Sequence, residues 1–274
     1  MRALDVLVHV RHYAGDSPTF RAALALGRRV PGRLHGLYVA PIPPAAFTSP
    51  ETVAVLVHES DRRYRGAQSA EAWWQELLAM NAAEGDWTVA QADAIDAIAS
   101  MARWIDLIVI ERAQHQAEAP VGWGLVSRSV LAVGVPVVVV PEGVVFDELG
   151  RHIVVLWNGS REATRAVHGA LPFLLRAEAV TVIDGEAPTN NGGILHLPRF
   201  DLRRYLQAHG VRANFRPFTA ESDRGAALMA AVKDAGADLV VMGAWGHSRL
   251  TELVLGGATR YLFQHADRPL LVAH

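Results

Sequence analysis

The sequence predicts two α/β domains in tandem, each a parallel sheet with helices on both faces. Three observations carry that prediction. Strand-like runs alternate with helical patterns along the whole chain. The strand runs are rich in Val, Ile and Leu and apolar without a break, as expected when helices cover both faces of a parallel sheet. The same unit also occurs twice. WIDLIVIERA (104–113) is matched by GADLVVMGAW (236–245), and VGVPVVVVP (133–141) by ADRPLLVAH (266–274). Asp106 to Pro136 is 30 positions and Asp238 to Pro269 is 31.

The elements follow in order. LDVLVHV (4–10) is the first strand, and a polar turn leads from it into the helical pattern SPTFRAALALGRRV. Further strands are expected near 33–41, 86–91, 105–111 and 136–140, with helices near 17–29, 60–83, 93–103 and 123–133. The second half restarts with HIVVLWN (152–158) and the helix SREATRAVHGALPFL. Its strands are expected near 152–157, 179–184, 211–218, 238–243 and 269–273, and its helices near 161–176, 200–209, 222–235 and 250–265. The domains are therefore placed at 1–141 and 152–274, with EGVVFDELGR (142–151) as the linker. The proline-rich stretch at 40–60 is read as a lid or an interface arm, and Trp73-Trp74 as core packing or a subunit contact.

Composition narrows the function classes. A chain of 274 residues, 51% of them hydrophobic, has the material for two cores. No apolar run is long enough to span a membrane. The N-terminal run carries Asp5 and His9 and lacks a cleavage site, so it reads as a mature strand and not as a leader. Cysteine is absent, which excludes disulfides, thiolate metal sites and thiol nucleophiles. With no export signal, the cytoplasm is the expected location, and the Asn158-Gly-Ser160 sequon has no role there. The net charge of −2 gives no basic field for nucleic acid. Lys233 is the sole lysine, which is read as a compositional bias. The twelve histidines are scattered without a metal-binding spacing; His9 and His12 lie on a strand-to-loop segment with poor ligand geometry. No GxSxG nucleophile elbow appears.

Ligands of open parallel sheets sit outside the C-terminal strand ends, at the switch point. The second half puts two loops there, WNGS (157–160) and GAWGHSRLTELVLGG (243–257). A glycine-rich turn entering a helix exposes backbone N–H groups to an anion, and glycine lets a phosphate approach closely. The spacing Gly243-x2-Gly246-x9-Gly256 is neither a Walker A loop nor a GxGxxG fingerprint. Of His247, Ser248 and Arg249, Arg249 is expected to meet phosphate, because its guanidinium makes forked contacts.

That spacing, the helix after it, the closing RPLLV strand and the tandem repeat resemble the universal stress protein family. Its nucleotide-binding members carry G-x2-G-x9-G-[ST]. The resemblance implies a five-stranded parallel sheet per domain, Rossmann-like and similar to adenine nucleotide alpha hydrolases. It implies an adenine nucleotide, ATP or AMP, in the second domain, with Mg2+ only alongside ATP. Gly243, Gly246 and Gly256 would border ribose and phosphates, and Gly257 and Ala258 would offer backbone N–H groups. Met242 would sit at the strand end, Val182 would line the adenine pocket, and Asn158 replaces an Asp that meets adenine. Gly257 stands where binding members have Ser or Thr, with Thr259 two positions on. In the first half, Glu111-Arg112 replace the first glycine, Gly122 and Gly124 leave only a lone GxG, and Arg11 and His12 crowd the base position. That half is expected to be a structural partner without ordinary nucleotide binding.

The resemblance further implies pairing of the two domains through their last strands, a homodimer of tandem chains, and an unidentified regulatory protein partner. The expected function is a nucleotide-responsive stress regulator, with at most slow ATP hydrolysis and no catalytic residue. The alternatives are a ligand-free interaction or scaffold protein and a nucleotide-dependent enzyme such as an adenylyl transferase. The last lacks a HIGH-like signature.

Overall fold

The computed structural model describes residues 3–13, 17–42, 50–112, 124–185, 201–219, 223–245 and 257–274. The chain divides into two compact units, Met1–Asp147 and Glu148–His274, and the division falls inside the segment read as linker.

The first unit runs β1 (Leu4–His9), α1 (Pro18–Gly27), β2 (Gly32–Pro41), α2 (Pro50–Gln68), α3 (Glu71–Met80), β3 (Trp87–Ala92), α4 (Ala94–Met101), β4 (Leu107–Arg112), α5 (Leu125–Ala132) and β5 (Val137–Pro141). Its strands order as β3-β2-β1-β4-β5, every neighbouring pair parallel. Strand order reverses between β1 and β4, where Val6 lies opposite Leu107. Trp74 is fully buried and meets Phe20 edge-on at 5.3 Å, so this half of the Trp73-Trp74 pair is core.

One expectation needs correction here. A single helix at 60–83 preceded by an arm was expected, but two helices, α2 and α3, cover this region and the first begins at Pro50. Proline in a first turn loses no helical bond, so it starts a helix instead of breaking one. The apolar run after it lacks helical periodicity because Val55, Leu56 and Val57 are all exposed. The chain closes α2 with Ala70 N–H to Ala67 O and restarts so that Trp74 turns into the core. The rest of the proposed arm, 43–49, lies outside the described residues.

The second unit runs β6 (His152–Trp157), α6 (Arg161–Leu174), β7 (Ala179–Asp184), α7 (Leu202–Ala208), β8 (Asn214–Pro217), α8 (Arg224–Asp234), β9 (Leu239–Gly243), α9 (Gly257–His265) and β10 (Leu270–Ala273). The order is β10-β9-β6-β7-β8, again parallel, with the reversal between β6 and β9 where Ile153 faces Leu239. Of the helix expected at 250–265, the described part begins at Gly257.

The Asp that precedes each repeated strand is a clamp. Asp238 carboxylate oxygens accept the N–H groups of Gly150, Arg151 and His152 at 2.8–3.0 Å, and its own N–H donates to His152 O. Asp106 likewise accepts Asp5 N–H at 2.9 Å and donates to Asp5 O. These bonds satisfy the backbone where a strand enters the sheet, ahead of its apolar run. Among the described residues no helix is long and apolar enough to cross a membrane, and no group of acidic or histidine side chains is arranged to hold a metal ion.

Candidate functional site

The second unit's switch point is built by two strand ends and the helix that follows β6. The Asn158-Gly159-Ser160 turn is made by its own chemistry. Asn158 Oδ1 accepts Ser160 N–H at 3.2 Å, a local turn typical of asparagine. Gly159 has φ 72°, the left-handed region that favours glycine. Ser160 Oγ then caps α6 by accepting Ala163 N–H at 3.1 Å. Asn158 is left exposed at the rim, its amide nitrogen a donor pair.

Gly243 closes β9 directly under this helix. A Cβ there would lie 2.3 Å from Ala163 N and 2.6 Å from Glu162 C. The glycine is therefore required by packing, independently of any phosphate. Met242 is buried and level with Leu156, which in turn is level with Ile183. Val182 is fully buried and one residue below that row, level with Val155 and Phe215. Its side chain belongs to the core, and Asp184 and Gly185 hold the rim of β7. Gly257 and Ala258 open the described part of α9. Gly246, Arg249 and Gly256 lie outside the described residues, as do His247 and Ser248.

Three residues escaped the sequence reading. Glu162, second in α6, is only 4% exposed. Its Oε1 is 3.7 Å from the Arg161 guanidinium, and its Oε2 has no hydrogen-bond partner. Trp245 follows two residues after Gly243 with φ 54°; its ring packs on Phe263 at 5.1 Å and its buried Nε1 also lacks a partner. Each such orphan costs about 1–3 kcal/mol, more for a charged group. Arg224 opens α8 and its Nη2 donates to Gly185 O at 3.4 Å, at the rim. In sequence, an acidic residue in a first helical turn reads as a surface partner of the helix dipole. Only the fold reveals that Glu162 is buried.

The first unit fills the same place differently. Val6–Leu107 and Ile153–Leu239 are the same register step, each following its Asp clamp. Counting along the strands, Arg11 stands for Asn158, Glu111 for Gly243 and His9 for Leu156. Arg11 Nη1 lies 3.7 Å from Glu111 Oε2 and 3.2 Å from Glu142 Oε1, while Glu111 Oε1 accepts Gly143 N–H at 3.2 Å. Burial, aided by Arg11, pushes the His9 pKa down to about 4, so the ring is neutral. Burial also lowers the Arg112 pKa, opposed by Glu142. His12 is exposed beside Arg11. Gly124 precedes α5 without a side-chain cap, and Gly122 lies outside the described residues.

An open parallel sheet with a glycine strand end and helix N-termini at its switch point defines the class of α/β domains that take ligands at their strand ends. Residues 150–274 match the model of the Universal stress protein family. A crystal structure of a universal stress protein from Archaeoglobus fulgidus matches the fold over 100% of this chain and 99% of its own, with a TM-score of 0.71 at 13% identity. A putative universal stress protein from Pseudomonas aeruginosa matches over 99% of this chain and 93% of its own, with a TM-score of 0.59 at 14% identity. A family protein from Arabidopsis thaliana with AMP bound matches over 50% of this chain and 91% of its own, with a TM-score of 0.33 at 16% identity. No curated protein sequence matches the chain.

Proposed function

We propose that the second unit binds an adenine nucleotide, AMP or ATP, at the ends of β6 and β9, and that the chain acts as a nucleotide-responsive stress regulator. One observation carries the reading: the two positions that an Arg–Glu pair fills in the first unit are Asn158 and Gly243 in the second. Exposed Asn158 supplies amide donors for a base edge, and bare Gly243 leaves the strand end without a side chain. The family resemblance puts the backbone amides of Gly257 and Ala258 at the phosphate, and both lie in the described part of α9. The match of 150–274 to the family model supports the same ligand class. The first unit serves as a structural partner. Any Mg2+ would arrive with ATP, and no described residue is assigned a catalytic role.

Calorimetry of the full chain with AMP, ADP and ATP tests this. One nucleotide per chain is expected, and replacing Gly246 with a bulky residue should abolish binding. Folded protein that gives no binding at millimolar nucleotide would overturn the reading. A second reading, recruitment of a protein partner without nucleotide, is favoured by the exposed Val55, Leu56 and Val57 on α2. That reading gains if nucleotide has no effect on the protein.

A further inference from the structure

We propose that Glu162 is the sugar-reading residue of the second unit, a buried acceptor for a ribose hydroxyl of the bound nucleotide. The proposal rests on the nucleotide reading above and adds the group that discriminates between ligands.

Three observations lead there. First, the carboxylate is shut away from water, and its Oε2 accepts nothing. Buried polar atoms are nearly always partnered, so an orphaned acceptor asks what fills it. Second, the residue is at the switch point. Its backbone packs on Gly243, the last residue of β9. Its counterpart in the first unit is Thr19, the second residue after the capping serine, as Glu162 follows Ser160. Thr19 turns its hydroxyl to the carbonyl of His9, at 3.0 Å. A side chain at this helical position thus reaches the end of the central strand. Third, the chemistry selects the donor. A bare carboxylate oxygen is an acceptor. Phosphate oxygens and adenine ring nitrogens are acceptors too, so neither answers it.

The order of strands chooses between the remaining donors, the ribose hydroxyls and the exocyclic amine. Asn158 ends β6, and α9 leads into β10; β9 lies between these two strands. A base at Asn158 and a phosphate at the start of α9 put the connecting sugar over Gly243, against Glu162. The orphaned indole N–H of Trp245, two residues beyond Gly243, is a donor at the same strand end. A hydroxyl group both donates and accepts, so a ribose hydroxyl matches the orphaned acceptor of Glu162.

The test is calorimetry on the full chain with AMP, 2′-deoxy-AMP, 3′-deoxy-AMP and IMP. Wild type should bind AMP about tenfold more tightly than at least one deoxy analogue, because the site leaves its acceptor unmatched without the hydroxyl. Glu162→Ala should lose that preference by weakening AMP alone, and Glu162→Gln, which keeps the shape and a carbonyl, should fall between them. Thermal melting of the Gln variant checks that the fold is intact. Equal affinity of wild type for AMP and both deoxy analogues would overturn the proposal, as would a preference that survives in Glu162→Ala. A penalty on IMP that vanishes in Glu162→Ala would move the residue to the amine and overturn the sugar assignment. Wild type that binds AMP but not selectively sinks this inference alone; wild type that binds neither AMP nor ATP sinks the nucleotide reading as well.

Discussion

The two strand-end crevices of this chain share a register and differ in four side chains. Where the first unit has Arg11, Glu111, His9 and Thr19, the second has Asn158, Gly243, Leu156 and Glu162. In the first, arginine and glutamate reach each other, with Glu142 as a third member, and the strand end is filled by its own ion pairs. In the second, Gly243 has no side chain and the α6 backbone packs on it, while a buried carboxylate oxygen of Glu162 has no partner. The comparison teaches that a repeated fold keeps its framework residues while the residues at its strand ends diverge. The clamps Asp106 and Asp238 recur; the crevice residues do not.

Forcing the first unit's residue on the second should have the largest effect. Gly243→Glu copies Glu111, but its Cβ would collide with the α6 backbone at Ala163. Backbone cannot yield as a flexible side chain would, so a loss of about 4 kcal/mol is expected, with nucleotide binding abolished. Chemical denaturation of the variant measures it. A variant of native stability would mean that the glycine is there for the ligand alone.

Next in size is the pH response of the first unit. His9 is held neutral, with its pKa lowered to about 4 by burial. The unfolded chain takes up this proton near pH 6.5, while the folded chain refuses it until about pH 4. The stability contribution is therefore complete above pH 6.5 and is lost as pH falls through that window, to a total of about 3 kcal/mol. His9→Leu, which copies Leu156, should flatten this slope in denaturation midpoints measured from pH 7 to 4. An unchanged slope would place the acid sensitivity elsewhere.

The clamps come third. Asp238→Ala strips three strand-entry N–H groups of their acceptor and should cost about 2 kcal/mol. A variant of native stability in chemical denaturation would show that other groups satisfy these N–H donors.

The framework was legible in the sequence because burial on both faces of a parallel sheet leaves continuous apolar runs, and these repeat with their Asp and Pro markers. The α2–α3 region was not. Exposed Val55, Leu56 and Val57 mask the helical period, and Pro50 looks like a breaker when it is a starter. The site was legible in part. Gly243 was singled out from glycine spacing and Asn158 from the family resemblance; the structure puts them just past and at the ends of the neighbouring strands β6 and β9. Val182, expected to line an adenine pocket, is fully buried one row below the strand ends, a depth that apolar letters cannot encode. Glu162 could not be found at all. A glutamate in a first helical turn is ordinary in sequence, and the strand end its backbone packs on, Gly243, lies 81 positions away.

The smallest effect sharpens the comparison most. Arg11→Asn with Glu111→Gly gives the first unit the second unit's residues. The pair lies partly in water, with Arg11 about one-third exposed, so breaking it should cost about 1 kcal/mol or less. A double-mutant cycle in chemical denaturation isolates that coupling. Nucleotide stoichiometry in the same variant asks the functional question. It should stay at one per chain, because the loop after β4 (ERAQHQAEAPVGWGLVS, 111–127) regains a glycine at 111 but still lacks one at the second position of the motif, where Gln114 stands. A rise to two would mean that the ion pair alone separates the silent unit from the binding one. It would make Arg11 and Glu111 a plug on an otherwise competent crevice, and shift the functional difference from the loop to the strand ends.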